Sequence, residues 1–289
     1  MSLDRVKLSK NKIKNVKARR DIKRNRARKL LSLHKSTDGE SYFRNLVMSS
    51  SPLLDVDQYL DIYAKLESRT IKKIGVLPKE IIGIRRIQCY SHALNQVYLH
   101  RALNLFEGTF HSLIRVNAYQ MLLSIRALYE TTAAIGYLYS RVSSFERGTI
   151  DIAALDDDIM NLLLGSRDPN ILKLENNPQL LAKNVMTMLQ HADKILSSDI
   201  MGGTKSEHKI LKDSYEWLCE FCHPNYHSAT LAYSLDKDSD SFIFNFGLTQ
   251  LPKRDEKLVE YLLIPAFAFV DIFDRSQLLL DSLELEELA

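Results

Sequence analysis

The stretch SYEWLCEFCHPNYH, residues 214–227, gathers two cysteines, two histidines and two tyrosines within fourteen positions. Cys219, Cys222 and His223 spell C-x-x-C-H, the pattern of covalent haem attachment. With His227 they also make four ligands of the type zinc takes. Neither chemistry is expected. Haem attachment accompanies export, and the opening MSLDRVKLSKNKIKNVKARR has no apolar signal core. The four zinc-type ligands crowd into nine residues, and both cysteines fall on the last turn of a helix rather than on a knuckle loop. They read as packing groups, near a helix C-terminus that does little to favour a thiolate. No metal and no cofactor is expected.

Tyr215, Cys219 and His223 recur every four residues and share one helix face, with His223 set before the helix-ending Pro224. A histidine there either caps the last carbonyls or works as a site group in acid–base chemistry. Arg126 and Glu130, in SIRALYETTA, are four apart within an apolar, small-residue stretch. Charges placed there need partners. They pair with each other or reach Tyr215 and His223, so Arg126, Glu130, Tyr215 and His223 form the candidate polar cluster, structural or ligand-binding. His92, Asn95, Tyr98 and Arg101 add a polar stripe on the preceding helix.

Apolar spacing sets the elements that position these groups. A modest helix is expected over 57–74, a second over 87–106, and one long helix over 111–142 whose Gly136 permits close helix contact. A short helix follows in DIAALDDDIMNLLLG, then helices over 178–197 and 207–222, the latter capped by Ser206. SATLAYSL and SFIFNFGL, separated by DKDSD, signal a hairpin near 229–248. A final helix spans 255–284, kinked or offset at Pro265. The expected fold is mainly α: a helical bundle with one small β-hairpin before the C-terminal helix. Residues 1–34 form a basic arm, 35–56 a linker and 57–289 a single domain.

At 289 residues, 45% hydrophobic and 26% charged, the chain has the composition of an ordinary globular protein with room for a substantial core. Its longest apolar run near the C-terminus, YLLIPAFAFV, is about half a membrane span. With three cysteines and no signal core, a cytoplasmic setting without a membrane span is expected. The net charge of +3 conceals a segregation. Residues 1–30 hold thirteen Lys or Arg against Asp4 and Asp21, a net of +11, which leaves −8 for the rest. Lys12, Lys14, Lys17, Arg19, Arg20, Lys23, Arg24, Arg26 and Arg28 are therefore candidate contacts to RNA or DNA phosphates. The alternatives for the arm are a solvated tail against the chain's own acidic body and an anionic lipid surface, into which its few hydrophobes would not insert; a protein partner or a homo-oligomer is a separate expectation. There is no P-loop, Rossmann glycine pattern, H-E-x-x-H, G-x-S-x-G or deaminase motif.

Two segments resemble a diffuse group of uncharacterised prokaryotic helical proteins. RALYETTAAIGYL, residues 126–138, is similar to the R-x-x-x-E helix of that group. YEWLCEFCHPN, residues 215–225, is similar to its Y-x-x-L-x-E-x-x-H-P helix end, with Cys219 in place of a serine. The chain also has a distant likeness to HEPN-type helical domains, whose R-x(4–6)-H motif cleaves RNA without metal. Arg86-x5-His92, Arg85-x6-His92 and Arg28-x5-His34 fit that spacing. The likeness implies His92 as general acid or base on the 2′-OH and Arg86 as the stabiliser of phosphoryl charge. Three functions follow as expectations. The leading one is a non-catalytic binding or regulatory protein that associates with nucleic acid through its arm. The others are a HEPN-like ribonuclease of a toxin or defence system, and a small-molecule enzyme or sensor using the Arg126 cluster.

Overall fold

The computed structural model describes residues 39–74, 83–168, 170, 172, 180–200, 209–236, 238–239, 241–244 and 253–283. It is mainly α with a single two-stranded hairpin among the described residues. In chain order the elements are α1 Gly39–Ser50, α2 Val56–Glu67, α3 Ile84–Ile114, α4 Ala118–Glu146, α5 Ile152–Leu164, α6 Val185–Ile200, α7 Ile210–Cys222 and the single turn α8 Tyr226–Ala229. β1 Tyr233–Asp236, β2 Ser241–Phe244, α9 Lys253–Glu260 and α10 Leu263–Ser282 complete the chain. No helix among the described residues is long and apolar enough to cross a membrane.

The chain gathers into two compact units. The first comprises the described parts of Met1–Ala64, Leu105–Ile125 and Trp217–Leu262. Its core is aromatic. Phe43 stacks on Tyr63 at 4.2 Å, and Phe110 meets Phe43 and Tyr59 edge-on at 5.3 and 5.1 Å. Such pairs add to the area that their rings bury. Phe43 comes from α1, so part of the expected linker 35–56 is a helix. Tyr42, Phe43, Leu46 and Val47 are all buried along one of its faces. The hairpin pairs Tyr233 with Phe244 and Asp236 with Ser241. Its first strand begins at Tyr233, after the single turn Tyr226–Ala229 that the Asn225–Ser228 capping box holds helical; residues 245–248 of the expected hairpin lie outside the described residues.

The second unit comprises the described parts of Lys65–Asn104, Arg126–Glu216 and Leu263–Ala289. Ile87, Leu94, Leu138, Val142, Leu155, Ile159, Leu280 and Leu283 make its buried cluster. Gly136 lets α4 approach α6: a Cβ built there would fall 2.6 Å from the Ala192 Cβ. The N-terminus of α7 is capped across helices, because Asp193 of α6 accepts from the amides of Leu211 and Lys212 at 2.8 and 3.0 Å. Burial raises the Asp193 carboxyl above its ordinary value against the pull of those two bonds. The expected cap Ser206 lies outside the described residues.

Several boundaries differ from expectation. The helix expected over 57–74 ends at Glu67, and α6 starts at Val185, where Asn184 bonds the Met186 amide. The helices expected over 87–106 and 111–142 meet instead at Arg115–Asn117. There Val116 adopts φ +55° and the Asn117 side chain accepts from the Gln120 amide. The last helix breaks at Tyr261–Leu262, ahead of Pro265. Pro265 then occupies the first turn of α10, where its missing N–H is not needed.

Candidate functional site

The second unit brings together three of the four residues of the expected polar cluster. Arg126 and Glu130 lie one turn apart on α4, and Tyr215 projects from α7. Arg126 Nη2 donates to the Tyr215 hydroxyl at 2.8 Å, and that hydroxyl donates to Glu130 Oε1 at 3.0 Å. Arg126 and Glu130 are 3.4 Å apart, and the guanidinium also lies 5.1 Å from the Tyr215 ring centre. The tyrosine hydroxyl thus serves as both donor and acceptor within the trio. This arrangement satisfies charge and locks two helices.

His223 belongs to the first unit, just beyond the last turn of α7, where its amide bonds the Cys219 carbonyl at 3.1 Å. With Tyr119, Phe221, Cys222, Pro224, Asn225, Ser228 and Ala229 it lines an open cleft of about 480 Å³. Much of the polar lining is already engaged. Tyr119 donates to the Ser228 carbonyl at 2.7 Å, Asn225 and Ser228 cap each other, and the Asn225 amide donates to Glu220 at 2.8 Å. Phe221, Cys222, Pro224 and Ala229 make the rest of the wall beside His223.

Arg86 and His92 turn to different partners in the second unit. Arg86 pairs with Asp156 of α5 at 3.3 Å and lies over the Tyr90 ring. His92 Nδ1 is 2.9 Å from Gln277 Oε1, and its Nε2 is 3.4 Å from Asp281, both on α10. Six residues on an α-helix leave the two side chains about 120° apart, which explains the divergence. The rest of the polar stripe also serves packing. Asn95 donates to Ser276 at 3.0 Å, and Arg101 donates to Thr131 at 3.0 Å. Burial raises the Tyr98 hydroxyl, with Arg101 pulling the other way.

A further group of titratable side chains gathers around Asp158, which the sequence does not single out. Asp158 of α5 is buried and accepts from Tyr137 at 2.8 Å, from Lys183 at 2.8 Å and from Arg141 at 2.5 Å. Tyr137, Ser140 and Arg141 share one face of α4 at spacings of three and four. His191 of α6 sits edge-on to Tyr137 at 5.0 Å, with its Nδ1 2.7 Å from Ser140 Oγ. Burial works against the Asp158 carboxylate. Hydrogen bonds from Lys183, Tyr137 and Arg141, with the Lys183 charge, nevertheless hold its pKa below the usual carboxylate range. His191 is pushed down by burial and by the charges of Lys194 and Arg141, and Asp158 opposes this. Burial and the neighbouring Asp158 raise the Tyr137 hydroxyl. In the sequence, the run Asp156–Asp158 looks like a solvated acidic surface. Only its long-range partners mark Asp158 as buried.

All three cysteines are free thiols of intermediate exposure. Cys219, Cys222, His223 and His227 do not converge. Among the described residues no group of three or more His, Cys, Asp or Glu side chains is placed to hold a metal ion. The arm residues from Lys12 to Arg28, and His34, lie outside the described residues. No family model matches the chain, and no similar curated protein or solved structure was found.

Proposed function

We propose that the chain is a non-catalytic binding or regulatory protein that engages RNA or DNA through the basic residues of its arm, in a reducing cytoplasmic setting. One observation carries this reading: a net charge of +11 within residues 1–30 beside −8 on the remaining chain. A segregated basic segment neutralises phosphates and releases their counterions, whatever the sequence of the strand. Two features favour binding over catalysis. Arg86 and His92 each bond a different helix, and Arg126, Glu130 and Tyr215 bond one another.

The test compares the full chain with a full-length variant carrying Gln at Lys12, Lys14, Lys17, Arg19, Arg20, Lys23, Arg24, Arg26 and Arg28. Anisotropy of labelled single-stranded RNA reports binding, and a gel of the same samples reports cleavage. Binding that the variant loses, without cleavage, is the expected result. Cleavage abolished by His92→Ala would move the protein to the HEPN-like ribonuclease reading. Equal binding by both proteins would remove the arm from the account.

A further inference from the structure

The Asp158 cluster holds more positive charge than its carboxylate can balance. We infer that Arg141, Lys183 and His191 form a binding site for a phosphate-class oxyanion where α4, α5 and the segment leading into α6 converge. Arg141 and Lys183 both bond the one carboxylate of Asp158, so the group is net positive even with His191 neutral. Among the described residues no other carboxylate is in ion-pair contact with either cation. Such a surplus in a partly desolvated place is unfavourable until a counter-charge enters.

Donors remain for that counter-charge. Arg141 uses Nε on Asp158, which leaves its terminal nitrogens, and Lys183 uses one of three N–H bonds there. Their side chains are 24% and 29% exposed, within reach of a ligand from solvent. The planar guanidinium fork suits the oxygens of a phosphate. His191 supplies the third contact. Its ring is fixed by Tyr137 and by Ser140 at Nδ1. When Ser140 donates to Nδ1, the ring proton sits on Nε2 and is available to an anion.

The groups facing the imidazole are Tyr137, Ser140 and Arg141 of α4, Asp158 of α5 and Lys194 of its own helix. Burial and the charges of Lys194 and Arg141 disfavour the imidazolium, and a dianion bound here favours it. With His191 protonated, the cluster carries the two positive charges that a phosphate dianion requires. Anion binding by these residues does not depend on nucleic-acid binding by the arm.

The experiment follows the ring nitrogens of His191 by NMR in the full chain, titrated with inorganic phosphate. A second arm uses a nucleoside monophosphate, with the unphosphorylated nucleoside as control. The His191 midpoint should rise by about one pH unit at saturation. Lys183→Gln, which leaves Tyr137 and Arg141 on Asp158, should weaken binding by about tenfold or more. A response to inorganic phosphate assigns the site to the free ion, and a response to the monophosphate alone assigns it to an ester. If Lys183→Gln does not fold, His191→Gln replaces it. Phosphate should then raise the melting temperature of the wild type more than that of the variant. No His191 response to either probe at millimolar concentration overturns the inference. So does a response undiminished in Lys183→Gln, or equal stabilisation of the wild type and His191→Gln.

Discussion

Replacing Asp158 with Asn tests whether one buried carboxylate ties α4, α5 and the segment before α6 together. Asp158 accepts three hydrogen bonds, two of them from cations. A hydrogen bond to a charged group contributes about 1.5–3 kcal/mol. Removing one partner of a buried ion pair costs about 3–5 kcal/mol. Arg141 and Lys183 are about a quarter exposed and regain water when released, which places the effect at the low end. Asn keeps one acceptor but turns N–H groups toward a cation, so the expected loss is about 3 kcal/mol. Urea unfolding followed by far-UV circular dichroism measures it. Asp157→Asn, at the exposed neighbouring position, should change stability by less than about 0.5 kcal/mol. The pH dependence has a definite sign. The folded carboxyl has a lowered pKa, so its stabilisation is complete above the unfolded value of about 3.9. It is lost as pH falls through the lower folded value. The difference between wild type and Asp158→Asn should therefore shrink in acid. A neutral-pH loss below about 1 kcal/mol, or a gap that stays constant in acid, would refute the reasoning.

Gly136→Ala should destabilise by about 1–3 kcal/mol, the cost of overpacking, although Ala is ordinarily the better helix residue. The added methyl would meet Ala192 at 2.6 Å, and thermal unfolding of Gly136→Ala with and without Ala192→Gly should show partial rescue. Asp193→Ala should cost about 1–2 kcal/mol through the uncapped amides at the start of α7, while Asp193→Asn, an equally good cap, should cost less. Because burial raises the Asp193 pKa, its contribution weakens as pH rises through the folded value, opposite in sign to Asp158. Chemical denaturation at two pH values separates the two groups.

The sequence made the helical class and the hairpin legible because both rest on local periodicity. The pairing of Arg126 with Glu130 was legible for the same reason, and Tyr215 followed from the need of those charges for a partner. Helix α1 was hidden by its ends: Gly39, Glu40 and Ser41 open it and Ser49 and Ser50 close it, so polar residues frame the buried Tyr42, Phe43, Leu46 and Val47. The break at Arg115–Asn117 carries no glycine or proline. Val116 takes a positive φ that its side chain gives no reason to expect. Asp158 and Asp193 escaped notice because their roles depend on partners 17 to 25 residues away, at Arg141, Lys183, Leu211 and Lys212. Arg86 and His92 matched a spacing, but spacing alone does not make two side chains on one helix converge.

The most direct measurement of the central claim is the salt dependence of RNA binding by the full chain. Nine phosphate contacts to a single strand correspond to a slope of log affinity against log salt of about −6. The account predicts a slope near that value, falling toward zero when the nine arm residues are replaced by Gln. Affinity independent of salt, or a slope unchanged by those replacements, would contradict it.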